Sequence, residues 1–252
     1  MLAFLALTFA ISLTGFVLIV AVPGARNPES LRGLPYWLLM VWGPSLAAII
    51  LAFQNGHLSD FLSRVVMVPP VAGSVWALVL APVLLLLLLR PIAPDAPEPV
   101  GVSILVAMAG FNLVLGPLGE ELGWRGVFQE DLQQTMGWLE TSIVTGLVWT
   151  VWHLPLWTIE TPHSKIALPL FAAHCMLYSI IIGAAYTLSG GSLLPAILLH
   201  LTVNLASNYA IFAGFRDPNA WFRTSLLPYV GLALGAIGLV FVETGKLGLR
   251  AQ

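Results

Sequence analysis

Charge is scarce in this chain: only 9% of its 252 residues are Asp, Glu, Lys or Arg, and 58% are hydrophobic. A mean hydropathy of +0.92 lies far outside the range of soluble domains and excludes one. The formal net charge of -2 leaves no basic patch for nucleic acid, and there are no charge runs or low-complexity tails. The single cysteine, Cys175, excludes an intramolecular disulfide. No internal repeat is evident, which argues against a transporter built from two related halves. What is present in quantity is long apolar sequence, so the partners of this chain are the lipid bilayer and something that enters it.

Crossing a hydrocarbon core as a helix takes about 20 apolar residues. Windows of that kind fall near Leu2 to Val22, Pro35 to Phe53, Val65 to Leu89, Val100 to Leu118, Leu139 to Ile159, Leu168 to Leu188, Leu193 to Gly214 and Ser225 to Val242. The expected fold is an all-α, polytopic membrane bundle of about eight transmembrane helices. The first window lacks a basic leading segment and exceeds the apolar core of a signal peptide, so it is read as an anchor. The proline-rich stretch Pro91 to Pro99 reads as a linker. It separates three leading helices (1–90) from a core (100–215), which a last helix and tail (216–252) follow. Arginine and lysine in the loops lean to an external N-terminus by the positive-inside rule, and the cell membrane is the expected location.

Ionisable groups at membrane depth are costly, about 2.5–3.5 kcal/mol each on insertion scales, and mark catalysis, ion paths or paired networks. Glu120 and Glu121 stand at the end of an apolar stretch, in Gly116-Pro-Leu-Gly-Glu-Glu-Leu-Gly-Trp-Arg125. On a continuous helix Glu121 and Arg125 share a face, four apart with the acid leading, as an ion pair prefers. Glu120 is rotated by about 100° and is less readily neutralised, which suits it to general-base work. The structural alternative is an ion-paired helix end with Trp124 as an interfacial anchor.

His153 lies one turn beyond Trp149 in Trp149-Thr-Val-Trp-His153-Leu-Pro-Leu-Trp157; taken alone it reads as a helix-bridging donor, and the tryptophans as an interfacial belt. His200 and Asn204 share a face of the seventh span, which Ser207 and Asn208 extend. A neutral imidazole and a carboxamide there could donate to an oxyanion, or could form an interhelical clamp. Among the rest, His57, His163, Asp60, Glu160 and Lys165 read as loop or interface groups. His174 reads as a satisfied bundle histidine, and Ser179 with Gly183 as a close helix contact.

Taken together, these residues resemble the CPBP intramembrane proteases, also known as the CAAX-processing and bacteriocin-processing or Abi family. The family's Glu-Glu-x-x-x-Arg corresponds to Glu120, Glu121 and Arg125, its Phe-x-x-x-His to Trp149 and His153, and its His-x-x-x-Asn to His200 and Asn204. The resemblance covers about residues 100 to 215 and departs from the pattern at Trp149. It implies hydrolysis of a peptide bond in a membrane-associated peptide or lipidated protein, such as a prenylated CAAX-type C-terminus or a peptide precursor. Glu120 and His153 would activate a water, and His200 and Asn204 would stabilise the oxyanion. Glu121 and Arg125 would hold the geometry, and Trp149 could border the substrate.

The family is often described as metalloprotease, and Glu120, His153 and His200 could supply a divalent metal such as zinc. The chain lacks a His-Glu-x-x-His helix, and a glutamate-activated water without metal is the preferred expectation. Two other function classes fit the composition: a non-catalytic bacteriocin-immunity or scaffold protein, and an ion-coupled transporter using the same acids and histidines as a relay.

Overall fold

The computed structural model describes residues 1–68, 73–93 and 100–245. Most of the linker expected at Pro91 to Pro99 therefore lies outside the described residues. Among those described there is no strand, and the helices are α1 (Leu2–Ala21), α2 (Leu34–Val41), α3 (Gly43–Gln54), α4 (Leu58–Val66), α5 (Gly73–Leu89), α6 (Val102–Val114), α7 (Pro117–Gly123), α8 (Glu130–Gln133), α9 (Trp138–His153), α10 (Leu168–Leu188), α11 (Leu193–Ala210) and α12 (Pro218–Thr244). The outward faces remain apolar: Leu80, Leu84, Leu87 and Leu88 of α5 are exposed, and α6 has no buried residue. Such faces are stable only against lipid. The protein is a multi-pass helical membrane bundle.

The expected count of eight spans is only approximate. Among the described residues six helical stretches are long and apolar enough to cross, and α2 with α3 adds a seventh that is bent by 61°. The bend falls at Gly43-Pro44, where proline removes an amide donor and disfavours helix in the residue before it. The helix containing His153 is only 16 residues long, about 24 Å at 1.5 Å per residue, because Pro155 turns the chain into a 3₁₀ segment, Leu154–Thr158. The third window corresponds to the spanning α5 and takes in only the last two residues of the short α4, with residues that are not described between them.

The helix that carries the acid pair is fixed from the N-terminal side. A side-chain carbon at Gly123 would lie 2.5 Å from the Pro44 carbonyl oxygen, and one at Gly119 would lie 3.0 Å from that of Val41. Two glycines four apart thus let α7 sit directly on α3, in the manner of small-residue helix contacts in membranes. On the far side α10 packs along α9 and α12, and α11 along α5. After Gly123 the helix widens into a π segment, Trp124–Gln129, a distortion frequent at functional sites.

Candidate active site

The acid pair divides between two neighbourhoods. Glu120 turns to α9, where the Trp149 indole N–H donates to its Oε2 at 2.5 Å. Glu121, fully buried, receives Arg125 Nη1 at 3.1 Å and lies 2.6 Å from His200 Nδ1, both through the same Oε1. The ion pair anticipated from the i, i+4 spacing is formed. Arg125 also reaches Ser179, at 3.3 Å from its Oγ, and stands over the Trp149 ring at 5.6 Å. Ser179 Oγ in turn donates to the Ser142 carbonyl at 2.7 Å, and a side-chain carbon at Gly183 would meet Ser142 Oγ at 2.1 Å. The close helix contact expected from Ser179 and Gly183 is therefore present, and its partner is α9.

Trp149 is the hub of the site. Its ring is 5.6 Å from that of His153 and 5.2 Å from that of His200. His153 Nδ1 lies 2.8 Å from the Trp149 carbonyl oxygen, an acceptor, so the proton sits on Nδ1 and Nε2 carries the lone pair. The side-chain hydrogen bonds found for these residues run through Glu120 Oε2, His153 Nδ1 and His200 Nδ1, and none is found at Glu120 Oε1, His153 Nε2 or His200 Nε2 among the described residues. Asn204 is half-buried beside the backbone that leads into α7, and a side chain at Gly116 would come within 2.9 Å of its Nδ2. Glycine at 116 thus gives the carboxamide its place next to the acid pair.

Several expectations change. Trp149 and Trp152 do not form an interfacial belt; both are buried, and Trp152 donates to Ser12 of α1 at 2.8 Å. Trp124 is no anchor at the membrane surface either, being fully enclosed among Phe4, Phe128 and Trp152. A neutral His200 cannot serve as an oxyanion donor here. Its Nδ1–H is engaged by Glu121, so Nε2 donates only if the ring carries both protons, with Glu121 as counterion. His163 does lie in the connection between α9 and α10, as expected, and its ring stands 5.8 Å from that of His153. Burial pushes the His163 imidazole down to about 4, so it is neutral at neutral pH.

His174 is the satisfied bundle histidine expected, with Nδ1 at 2.9 Å from the Leu170 carbonyl and Nε2 at 3.1 Å from Ser225 Oγ. Ser207 and Asn208 continue the α11 stripe but diverge in partner: Ser207 lies 3.5 Å from the Tyr178 hydroxyl, and Asn208 donates to Asn112 of α6 at 2.6 Å. Asn112 had no sequence signal beyond its polarity in an apolar helix.

A metal would need three protein donors facing one point. Among the described residues no three His, Cys, Asp or Glu side chains are grouped to hold one. Glu120, His153 and His200 stand around the Trp149 indole instead, and the chemistry derived below uses only these side chains and water.

Residues 101–206 match the family model described as Rce1-like, type II CAAX prenyl endopeptidase. The match covers less than half of the chain and supports the resemblance of this block to the CPBP proteases. CAAX prenyl protease 2 of Methanococcus maripaludis is 32% identical over 102 residues, covering 38% of this chain and 38% of that protein. The chain thus spans well under half of the curated relative it matches. All three CPBP motifs fall within the matched block; the N-terminal helices and α12 lie outside it.

Proposed function

We propose that the protein is an intramembrane endopeptidase that hydrolyses a peptide bond with a water activated by Glu120 and His153. The observation that carries this reading is the set of three unpartnered atoms around Trp149: Glu120 Oε1, His153 Nε2 and His200 Nε2. A buried carboxylate that keeps one oxygen free, while an indole N–H fixes the other, is a positioned acceptor for a water proton. His153 Nε2 is a second acceptor for the same water.

In the forward step the water oxygen bonds to the scissile carbonyl carbon, its proton passes to Glu120, and the carbonyl π electrons move to oxygen. Asn204 Nδ2 and a doubly protonated His200 donate to that oxyanion, the latter stabilised by Glu121. Collapse re-forms the C=O bond, breaks the C–N bond, and returns the Glu120 proton to the departing amine. The products are a carboxylic acid, which keeps the second water proton, and an amine; that proton then passes to the amine, giving carboxylate and ammonium. Arg125 holds Glu121 in place, so that one carboxylate serves as counterion and the other as base.

The substrate class follows from similarity and setting. The relative's name and the family model both refer to prenylated CAAX sequences, and the reactive groups here lie inside an apolar bundle. We assign a membrane-associated peptide, with a prenylated C-terminus as the first candidate and a peptide precursor as the second. The bundle end bearing the loops with Arg26, Arg32, Arg90 and Lys165 faces the cytoplasm by the positive-inside rule, in a cell membrane. Arg125 contributes nothing to that count, because it is buried in the bundle. The test is cleavage of prenylated and unprenylated peptides in liposomes. Turnover that depends on the prenyl group and on Glu120 supports the assignment, and prenyl-independent turnover would shift it to peptide precursors.

A further inference from the structure

His153 is enclosed by four rings. Trp149, Trp152 and Phe171 lie at 5.6, 4.7 and 5.1 Å and belong to the long helices α9 and α10. The fourth ring, His163 at 5.8 Å, comes from the connection between those helices. This connection is tied down more closely than a surface loop requires. Thr161 and Ser164 exchange hydrogen bonds, with Thr161 N–H donating to Ser164 Oγ at 3.0 Å and Ser164 N–H to Thr161 Oγ1 at 3.1 Å. The Trp157 indole donates to the Ile166 carbonyl at 3.0 Å. Asn219 at the start of α12 accepts from Ala167 N–H at 2.7 Å and donates to the Lys165 carbonyl at 2.8 Å. One carboxamide thus fastens the backbone on both sides of Ile166, directly after the turn that carries His163.

We propose that His163 is a positioning residue: clamped through Asn219, its ring closes the fourth side of the aromatic enclosure and keeps the His153 imidazole on its Trp149 carbonyl bond. The clamp comes from α12, outside the segment that matches the family model. Without the fourth wall, His153 gains room to rotate and its Nε2 leaves the position from which it shares the water. His163 acts as a ring, so aromaticity matters more than imidazole chemistry.

The inference rests on the hydrolytic reading for its kinetic arm alone. In that arm, His163→Ala lowers kcat by about tenfold with little change in KM, since misplacement of a reacting group acts on turnover. His163→Phe restores a ring and recovers most of the loss, with no shift in the pH profile. The second arm needs no activity: the rate at which diethyl pyrocarbonate modifies His153 in the full-length protein, read by mass spectrometry with the doubly bonded His174 as internal reference. His163→Ala and Asn219→Ala each raise that rate several-fold, and His163→Phe leaves it near wild type. An unchanged His153 rate in His163→Ala overturns the proposal, as does a His163→Phe enzyme as impaired as His163→Ala. If the wild type cleaves nothing, the hydrolytic reading fails and the modification rates still decide the positioning role.

Discussion

Among the described residues, a cluster at the edge of the bundle and one at its centre both join helices through charge, and they are built in opposite ways. The outer one links Arg64 of α4, Glu130 of α8 and Tyr186 of α10: the guanidinium bonds to both partners and to the Gly191 carbonyl, and the tyrosine hydroxyl donates to the acid at 2.7 Å. Its charges remain in reach of solvent, Arg64 at 22% and Glu130 at 46% exposure. The inner cluster, Glu121, Arg125 and His200, is sealed, with both members of the ion pair at zero exposure. Yet it is the sealed cluster that is left incomplete, with Glu121 Oε2 and Arg125 Nε lacking any protein partner. Stability alone would favour the reverse arrangement, because a buried polar atom without a partner costs about 1–3 kcal/mol. The outer cluster fastens helices within reach of solvent; the inner one joins Glu121 to Arg125 and His200 out of it.

The largest expected effect on the fold comes from breaking the inner pair. Arg125→Met takes the guanidinium away from the buried Glu121 and leaves the carboxylate with His200 alone, which costs about 3–5 kcal/mol, read as loss of thermal stability in detergent. A loss below about 1 kcal/mol, the range for exposed pairs, would erase the distinction between the clusters. Next is His200→Ala, which spares the ion pair but removes an oxyanion donor. Turnover falls by about 10²–10³ while the melting temperature moves little. The same loss for Asn204→Ala would place both donors on one intermediate. The smallest effect belongs to the outer cluster: Glu130→Gln costs about 0–1 kcal/mol and leaves turnover unchanged. Raising the salt concentration narrows even that difference, while the cost of Arg125→Met stays constant, since a sealed pair is hardly screened.

How much of this was legible in the sequence varies with the kind of information needed. Apolar runs and the spacings Glu121–Arg125, Trp149–His153 and His200–Asn204 describe single helices, where 3.6-residue periodicity fixes what shares a face. The His200–Glu121 bond joins residues 79 apart, and no periodicity reports which helices adjoin. The same holds for the Trp149 indole on Glu120, which turned a supposed interfacial tryptophan into the group that orients the acid. His163 was invisible for a different reason, since its position comes from a connection shaped by Pro155, Pro162 and the Asn219 clamp. Two features could have been read and were not. Gly119-x-x-x-Gly123 marks the helix face that rests on α3, and Gly43-Pro44 marks the break in the second span.

The division of the adjacent acids, one as counterion and one as base, is tested most directly by Glu120→Gln in liposomes, with turnover and thermal stability measured on the same preparation. The amide oxygen can still accept from the Trp149 indole, so the fold is expected to survive. The predicted result is a protein that melts like wild type and cleaves nothing, while wild-type cleavage persists in chelator. Cleavage retained by Glu120→Gln would contradict the assignment of Glu120 as the base.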